Sequence, residues 1–167
     1  ELDERSNVLR RAIAVEKSRG SYKVLSADAP NKHGLNASGV IVDELHAHPS
    51  RDLFDVLSTS TGAREQPLVF SITTAGVWSP DSICVEKDEY TRKVATGQMS
   101  DEAFLGIIYG LEDEDDWRDE TTWIKANPGL GVTISMEYLR RERDKAMASV
   151  AAQNTFQMLH CNRWVQQ

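Results

Sequence analysis

The sequence predicts an α/β fold, with a mainly parallel sheet flanked by helices and a small helical region at the C-terminal end. Three observations carry this. Val40-Ile41-Val42 and Leu68-Val69-Phe70-Ser71-Ile72 are short, nearly continuous apolar runs, as strands buried on both faces require. Stretches with helical spacing follow each run. The 167 residues are 40% hydrophobic, enough for one domain of ordinary size with a core.

The elements follow in order. Residues 6–19 place Val8, Leu9, Ile13 and Val15 among charges, which predicts a helix stopped by Gly20. Tyr22 to Ser26 reads as a short strand, and 27–38, rich in Asp, Pro, Asn and Gly, as a loop. A strand over 39–43 follows. Ser50 is placed to cap a helix over 51–62 that turns Leu53, Phe54, Val56 and Leu57 inward. After the second apolar run, Ser79-Pro80 sets a cap and a first-turn proline for a helix to about 96, closed by Gly97. Phe104 to Tyr109 is a further strand candidate. A short helix around 119–126 is stopped by Asn127-Pro128-Gly129, and helices over 135–149 and 151–161 complete the chain.

Net charge is −7, which argues against simple wrapping of nucleic acid but leaves room for a local basic surface. Cys84 and Cys161 stand far apart with no CxxC pair, which suits a reducing compartment better than a zinc site or a disulfide scaffold. No apolar run reaches membrane-spanning length. The chain opens on Glu1-Leu2-Asp3-Glu4, neither a secretory signal nor an initiator Met, and is expected to be a fragment of a longer protein.

The chemistry concentrates where the first apolar run ends, at Asp43-Glu44. Ligands of open α/β sheets sit beyond the carboxyl ends of the strands. An Asp there can hold the Mg²⁺ of a bound nucleotide, and a neighbouring Glu can orient the attacking water, as in a Walker B segment. The plainer alternative is an Asp that opens a turn. Thr73-Thr74-Ala75 ends the next run, where hydroxyls could meet the γ-phosphate or bond their own backbone. Asp43, Glu44, His46 and His48 together could instead ligate Zn²⁺ or Mn²⁺, although the spacing fits no established metal motif. No GxxxxGK[ST] phosphate cradle occurs, so a nucleotide-binding reading places the cradle upstream of Glu1. Arg140, Arg141, Arg143 and Lys145 could contact a phosphate backbone, but Glu137, Glu142 and Asp144 share that stretch and suit a solvated helix face. The acidic run Glu112 to Asp116 reads as a solvated loop.

In one order and spacing, several segments resemble the large terminase subunit of tailed bacteriophages. Val24-Leu25-Ser26-Ala27-Asp28 and Gly34-Leu35-Asn36 resemble the approach to that family's Walker B, and Val40 to Ala47 the Walker B itself. Ile72-Thr73-Thr74-Ala75-Gly76 resembles its coupling motif. Trp123 to Gly131 resembles the stretch leaving the ATPase core, and Phe156, Asn162 and Trp164 the segment leading toward the nuclease.

The resemblance implies a partial P-loop NTPase-type fold. Residues 1–131 would be the C-terminal part of the ATPase core, and 132–167 a helical lid or linker leading to a nuclease domain absent from this chain. It implies ATP and Mg²⁺ as cofactors, Asp43 as the metal-associated Walker B residue and Glu44 as the catalytic carboxylate. Thr73, Thr74 and Ala75 would contact the nucleotide and couple hydrolysis to movement. No residue is assigned as arginine finger or nuclease carboxylate. The intact protein would pump double-stranded DNA into a capsid in the host cytoplasm during virus assembly. Its partners would be the portal protein and the small terminase subunit, in a homo-oligomeric ring with no membrane contact. The fragment alone should have little ATPase activity. Two alternatives remain: a metal-dependent hydrolase built on Asp43, Glu44, His46 and His48, and a non-catalytic module that docks a basic partner on the acidic run.

Overall fold

The computed structural model describes residues 6–15, 17, 19–25 and 34–166. Its elements are β1 (Asn7–Leu9), β2 (Ala12–Val15), β3 (Gly20–Lys23), β4 (Gly39–Asp43), α1 (Asp52–Thr59), β5 (Leu68–Ile72), α2 (Ile83–Ala95), α3 (Met136–Ala146) and α4 (Val150–Cys161). The strands form two sheets, an antiparallel β1-β2-β3 meander and a parallel β4-β5 pair.

The parallel pair is where the sequence places it. Its register sets Asp43 opposite Ile72, so both strands release their carboxyl ends on the same side. Alternation along β4 turns Val40 and Val42 into a core completed by Leu45, Leu53, Leu57, Ile83 and Cys84. The opposite face is bare: Ile41 is 61% exposed and Phe70 50%.

The expected helix over 6–19 is corrected to β1 and β2. In this register Val8 lies opposite Ile13, and Ile13 opposite Tyr22. Cross-strand rows of β-branched and aromatic side chains stabilise sheets, and this row outweighs the loose helical spacing. Gly20 therefore opens β3 instead of stopping a helix. Part of the expected 27–38 loop, and Ser26-Ala27-Asp28 of the motif approach, lie outside the described residues.

The strand expected at Phe104–Tyr109 is also corrected: this segment joins no sheet among the described residues. It crosses helix α2 instead. Phe104 meets Tyr90 edge-on at 4.8 Å. Gly106 lies against Thr91 so closely that a Cβ would collide with its side chain. The helix expected at 119–126 is only a 3-10 turn at Trp123–Lys125. Its tightness suits Trp123, which is fully buried and donates from Nε1 to the Trp117 carbonyl at 2.8 Å.

Helices α3 and α4 start where serines cap them. Ser135 Oγ accepts from the Tyr138 N–H, and Ser149 Oγ from the Ala152 N–H. The two helices pack with Leu111, Trp117 and Trp123 around Phe156 in a second core. This core draws residues from both sides of position 131. The basic stretch of α3 is largely ion-paired. Arg140 and Arg143 reach Glu120, and Lys145 reaches Glu142, so this surface reads as a solvated helix face.

Candidate functional site

Strand β4 ends at Asp43, and the chain breaks direction at once. Glu44 adopts a left-handed backbone conformation, φ 51° and ψ 50°. This conformation costs a non-glycine residue roughly 1–2 kcal/mol. Part of the compensation is local, since the Glu44 N–H donates to Asp43 Oδ1 at 3.0 Å. The bend carries the chain into a 3-10 turn, Leu45–Ala47, which buries Leu45 in the first core. Both carboxylates are left at the surface beyond the strand end, where an open α/β sheet binds its ligand.

The turn brings His46 to the end of the neighbouring strand. Both the His46 N–H and ring Nδ1 lie 3.0 Å from Thr73 Oγ1. Nδ1 is also 3.2 Å from Glu44 Oε2. Thr73 donates its own hydroxyl proton to the Thr74 carbonyl at 2.9 Å. Cys84 Sγ approaches Thr73 Oγ1 at 3.8 Å, and burial raises the thiol pKa above its ordinary value. Gly76 packs on His46, where a Cβ would fall 3.2 Å from the His46 Cβ and ring Cδ2, so a side chain there would press on the imidazole.

The expected site residues separate into three environments. Asp43, Glu44 and Thr73 converge at the two strand ends, as the sequence places them. Thr74 Oγ1 is buried with no hydrogen-bond partner among the described residues. Ala75 is buried, and its N–H is taken by Asn162 Oδ1 at 2.6 Å. Asn162 itself ends α4 in the left-handed region, φ 50°, and its Nδ2 donates to the Tyr109 carbonyl at 2.7 Å. Beyond it, Val165 bridges to Val77, and the Trp78 N–H donates to the Val165 carbonyl at 2.8 Å. The turn after β5 is thus tied to the end of the last helix. An Asn directly after a helical stretch is a left-handed C-cap signal, but nothing local announces its side-chain partners.

A transition-metal centre finds little support. Among the described residues no three His, Cys, Asp or Glu side chains form a metal-holding group. His48 adds no ligand to Asp43, Glu44 and His46. Nucleotide-borne Mg²⁺ makes a smaller demand, since one or two carboxylates suffice and phosphates and waters supply the rest. The surface carboxylates of Asp43 and Glu44, hard oxygen donors at a strand end, fit that requirement. The acidic run is largely bonded within the molecule. Asp115 accepts from the Glu112 N–H and from Lys125 Nζ at 2.6 Å, and these contacts hold its carboxyl below the ordinary range. Glu112 pairs with Arg92 at 3.3 Å.

Comparison with known proteins returns two adjoining family models. The terminase large subunit ATPase domain matches residues 2–93, and the terminase large subunit endonuclease domain matches 98–167. Protein YmfN of Escherichia coli (strain K12) is 35% identical over 131 residues, 78% of this chain and 29% of that protein. The terminase large subunit of Enterobacteria phage HK97 is 30% identical over 146 residues, 86% of this chain and 28% of that protein. The crystal structure of the HK97 bacteriophage large terminase superposes with a TM-score of 0.80 at 25% identity, over 97% of this chain and 33% of that one. The chain thus spans under a third of the length of these curated relatives.

Proposed function

We propose, on the premise that this chain belongs to the terminase large subunit family, that it supplies half of a divided ATPase site in a DNA-packaging motor. The observation that carries the reading is the convergence of Asp43, Glu44 and Thr73 at the carboxyl ends of two parallel strands. Asp43 would hold the Mg²⁺ of bound ATP. That ion, when present, neutralises phosphate charge and orients the phosphates. Glu44 would orient the attacking water and accept its proton. The phosphate cradle would come from elsewhere in the intact protein.

Thr73, Thr74 and Ala75 would couple nucleotide state to movement. Thr73 bonds toward the Asp43-Glu44 turn, while Ala75 bonds toward the end of α4. A shift of this turn is therefore transmitted in two directions. The buried Thr74 hydroxyl, without a partner among the described residues, fits a segment that changes partners during a cycle.

The α3–α4 unit would lead from the ATPase into the nuclease portion. Two observations support a division after α2 instead of at residue 131: the second core begins at Leu111, and the endonuclease-domain model begins at residue 98. In the intact protein the substrate would be double-stranded DNA. The partners would be a portal protein, a small terminase subunit and further copies in a ring, working in the host cytoplasm. Among the described residues no helix is long and apolar enough to cross a membrane. The bare face of β4-β5 would be covered by further ATPase elements, since parallel sheets are buried on both faces.

The test is metal dependence in the intact large subunit. Asp43→Asn should raise the Mg²⁺ concentration needed for half-maximal ATP turnover by about tenfold, as expected for loss of a charged metal ligand. An unchanged Mg²⁺ requirement would remove Asp43 from the site.

A further inference from the structure

We infer that His46 is a positioning residue for ATP hydrolysis: its Nδ1–H clamps the Glu44 carboxylate to the Thr73 hydroxyl, joining the catalytic strand end to the coupling turn. The inference rests on the reading of Glu44 as the catalytic carboxylate.

The acceptors around the ring, the Glu44 carboxylate and Thr73 Oγ1, assign its proton to Nδ1. Thr73 Oγ1 has a single proton, which goes to the Thr74 carbonyl at 2.9 Å. Toward His46 it can therefore only accept. With that proton on Thr74, Nδ1, 3.0 Å away, is assigned as the donor. The same N–H lies 3.2 Å from Glu44 Oε2, a second acceptor. One proton is thus shared between a carboxylate on β4's exit and a hydroxyl on β5's exit.

Glu44 needs such a restraint. Its side chain is 60% exposed, and a glutamate has three rotatable bonds with which to miss a water molecule. Its backbone is held by the N–H bond to Asp43 Oδ1 and by the Ala47 N–H on its carbonyl, and neither bond restrains the carboxylate. His46, by contrast, is well held. Its backbone N–H is bound to Thr73, its side chain is only 25% exposed, and its ring is seated against Gly76. A rigid ring supported by a neighbouring strand is what orients a flexible catalytic group. The arrangement also makes the carboxylate sensitive to the coupling turn, because moving Thr73 displaces the ring that holds Glu44.

The prediction is specific to one atom. An Asn side chain can present its amide N–H near the place of Nδ1, whereas a Gln places it near Nε2. In the full-length large subunit, His46→Ala should lower kcat about tenfold and leave KM for ATP within twofold. His46→Asn should recover kcat to within about threefold of the parent, and His46→Gln should not. Thermal melting and nucleotide binding of each variant check the fold. Should His46→Ala unfold, the Asn and Gln pair decides alone. Wild-type kcat in His46→Ala, or equal activity of the Asn and Gln variants, overturns the inference. Glu44→Gln is assayed beside them. If it is inactive while His46→Ala is normal, only the role of His46 falls. If it retains full turnover, the reading of Glu44 itself has failed.

Discussion

The two cores of this molecule are built in opposite ways. The helical unit around Phe156 is closed. Trp117, Trp123 and His160 surround that ring at centroid distances of 5.2 to 5.9 Å, and the polar atoms near it are satisfied locally. The sheet unit is open. Its parallel pair buries one face and leaves Ile41, Leu68, Phe70 and Ile72 at the surface. It also holds Glu44 in a left-handed conformation and buries the Thr74 hydroxyl with no partner among the described residues. Left-handed backbone occurs in both units, at Glu44 and at Asn162, but among the described residues the buried hydroxyl without a partner lies beside the carboxylates. The closed unit supplies the helix end, Asn162, to which the turn after β5 is tied.

The largest effect expected from this contrast is on stability. Phe156→Ala should cost about 3–5 kcal/mol, as for other buried aromatic truncations. Ile41→Ser on the bare face should change stability of this chain by only about 0.5 kcal/mol. Denaturant titration of both variants checks the difference. Equal losses would mean that the two units are not built differently.

The tie between the units comes next. Asn162→Ala removes a left-handed cap and strands the Ala75 N–H and the Tyr109 carbonyl. It should cost about 1–3 kcal/mol. Asn162→Gly keeps the cap conformation and loses only the amide, so the difference between the two variants isolates the backbone term. If both match the parent, the tie contributes nothing.

The smallest effect is a pH dependence confined to the closed unit. His160 packs between the Tyr138 and Phe156 rings, and burial lowers its pKa below the ordinary 6.5. The folded state therefore binds the proton less readily than the unfolded state. Its stability contribution is complete above about pH 6.5 and declines as pH falls through the lowered folded-state pKa. Denaturation midpoints between pH 7.5 and 5 should show this decline, and His160→Gln should flatten it. An unchanged slope in that variant would assign the decline to other groups.

What could be read in advance follows the same division. Strands β4 and β5 were legible because each is an apolar run closed by punctuation, and their parallel pairing then brings Asp43, Glu44 and Thr73 together. Helices α1 to α4 were legible in position, less so in their ends. Helix α2 begins at Ile83, with Ser82 at its N-cap, and not at Ser79-Pro80, because those residues form a turn in which the Ser82 N–H bonds the Ser79 carbonyl. The spacing over 6–19 suggests a helix where β1 and β2 form, since their determinants are cross-strand pairs that local spacing does not reveal, whereas the strand expected from Tyr22 overlaps β3 at Tyr22 and Lys23. The 104–109 segment carries strand-like residues, but they pack across α2. The supporting residues of the site were least legible. His46 meets Thr73 across 27 positions and Asn162 meets Ala75 across 87, contacts that only the folded chain creates.

The central claim is that Glu44 carries out hydrolysis while nucleotide binding depends on other groups. The direct measurement is ATP turnover and nucleotide affinity of Glu44→Gln in the intact large subunit. Turnover lowered by about a hundredfold or more, with affinity for Mg-ATP retained, is the predicted result, since loss of a positioned general base costs about 10²–10⁴ in rate. Turnover equal to the parent would contradict the account.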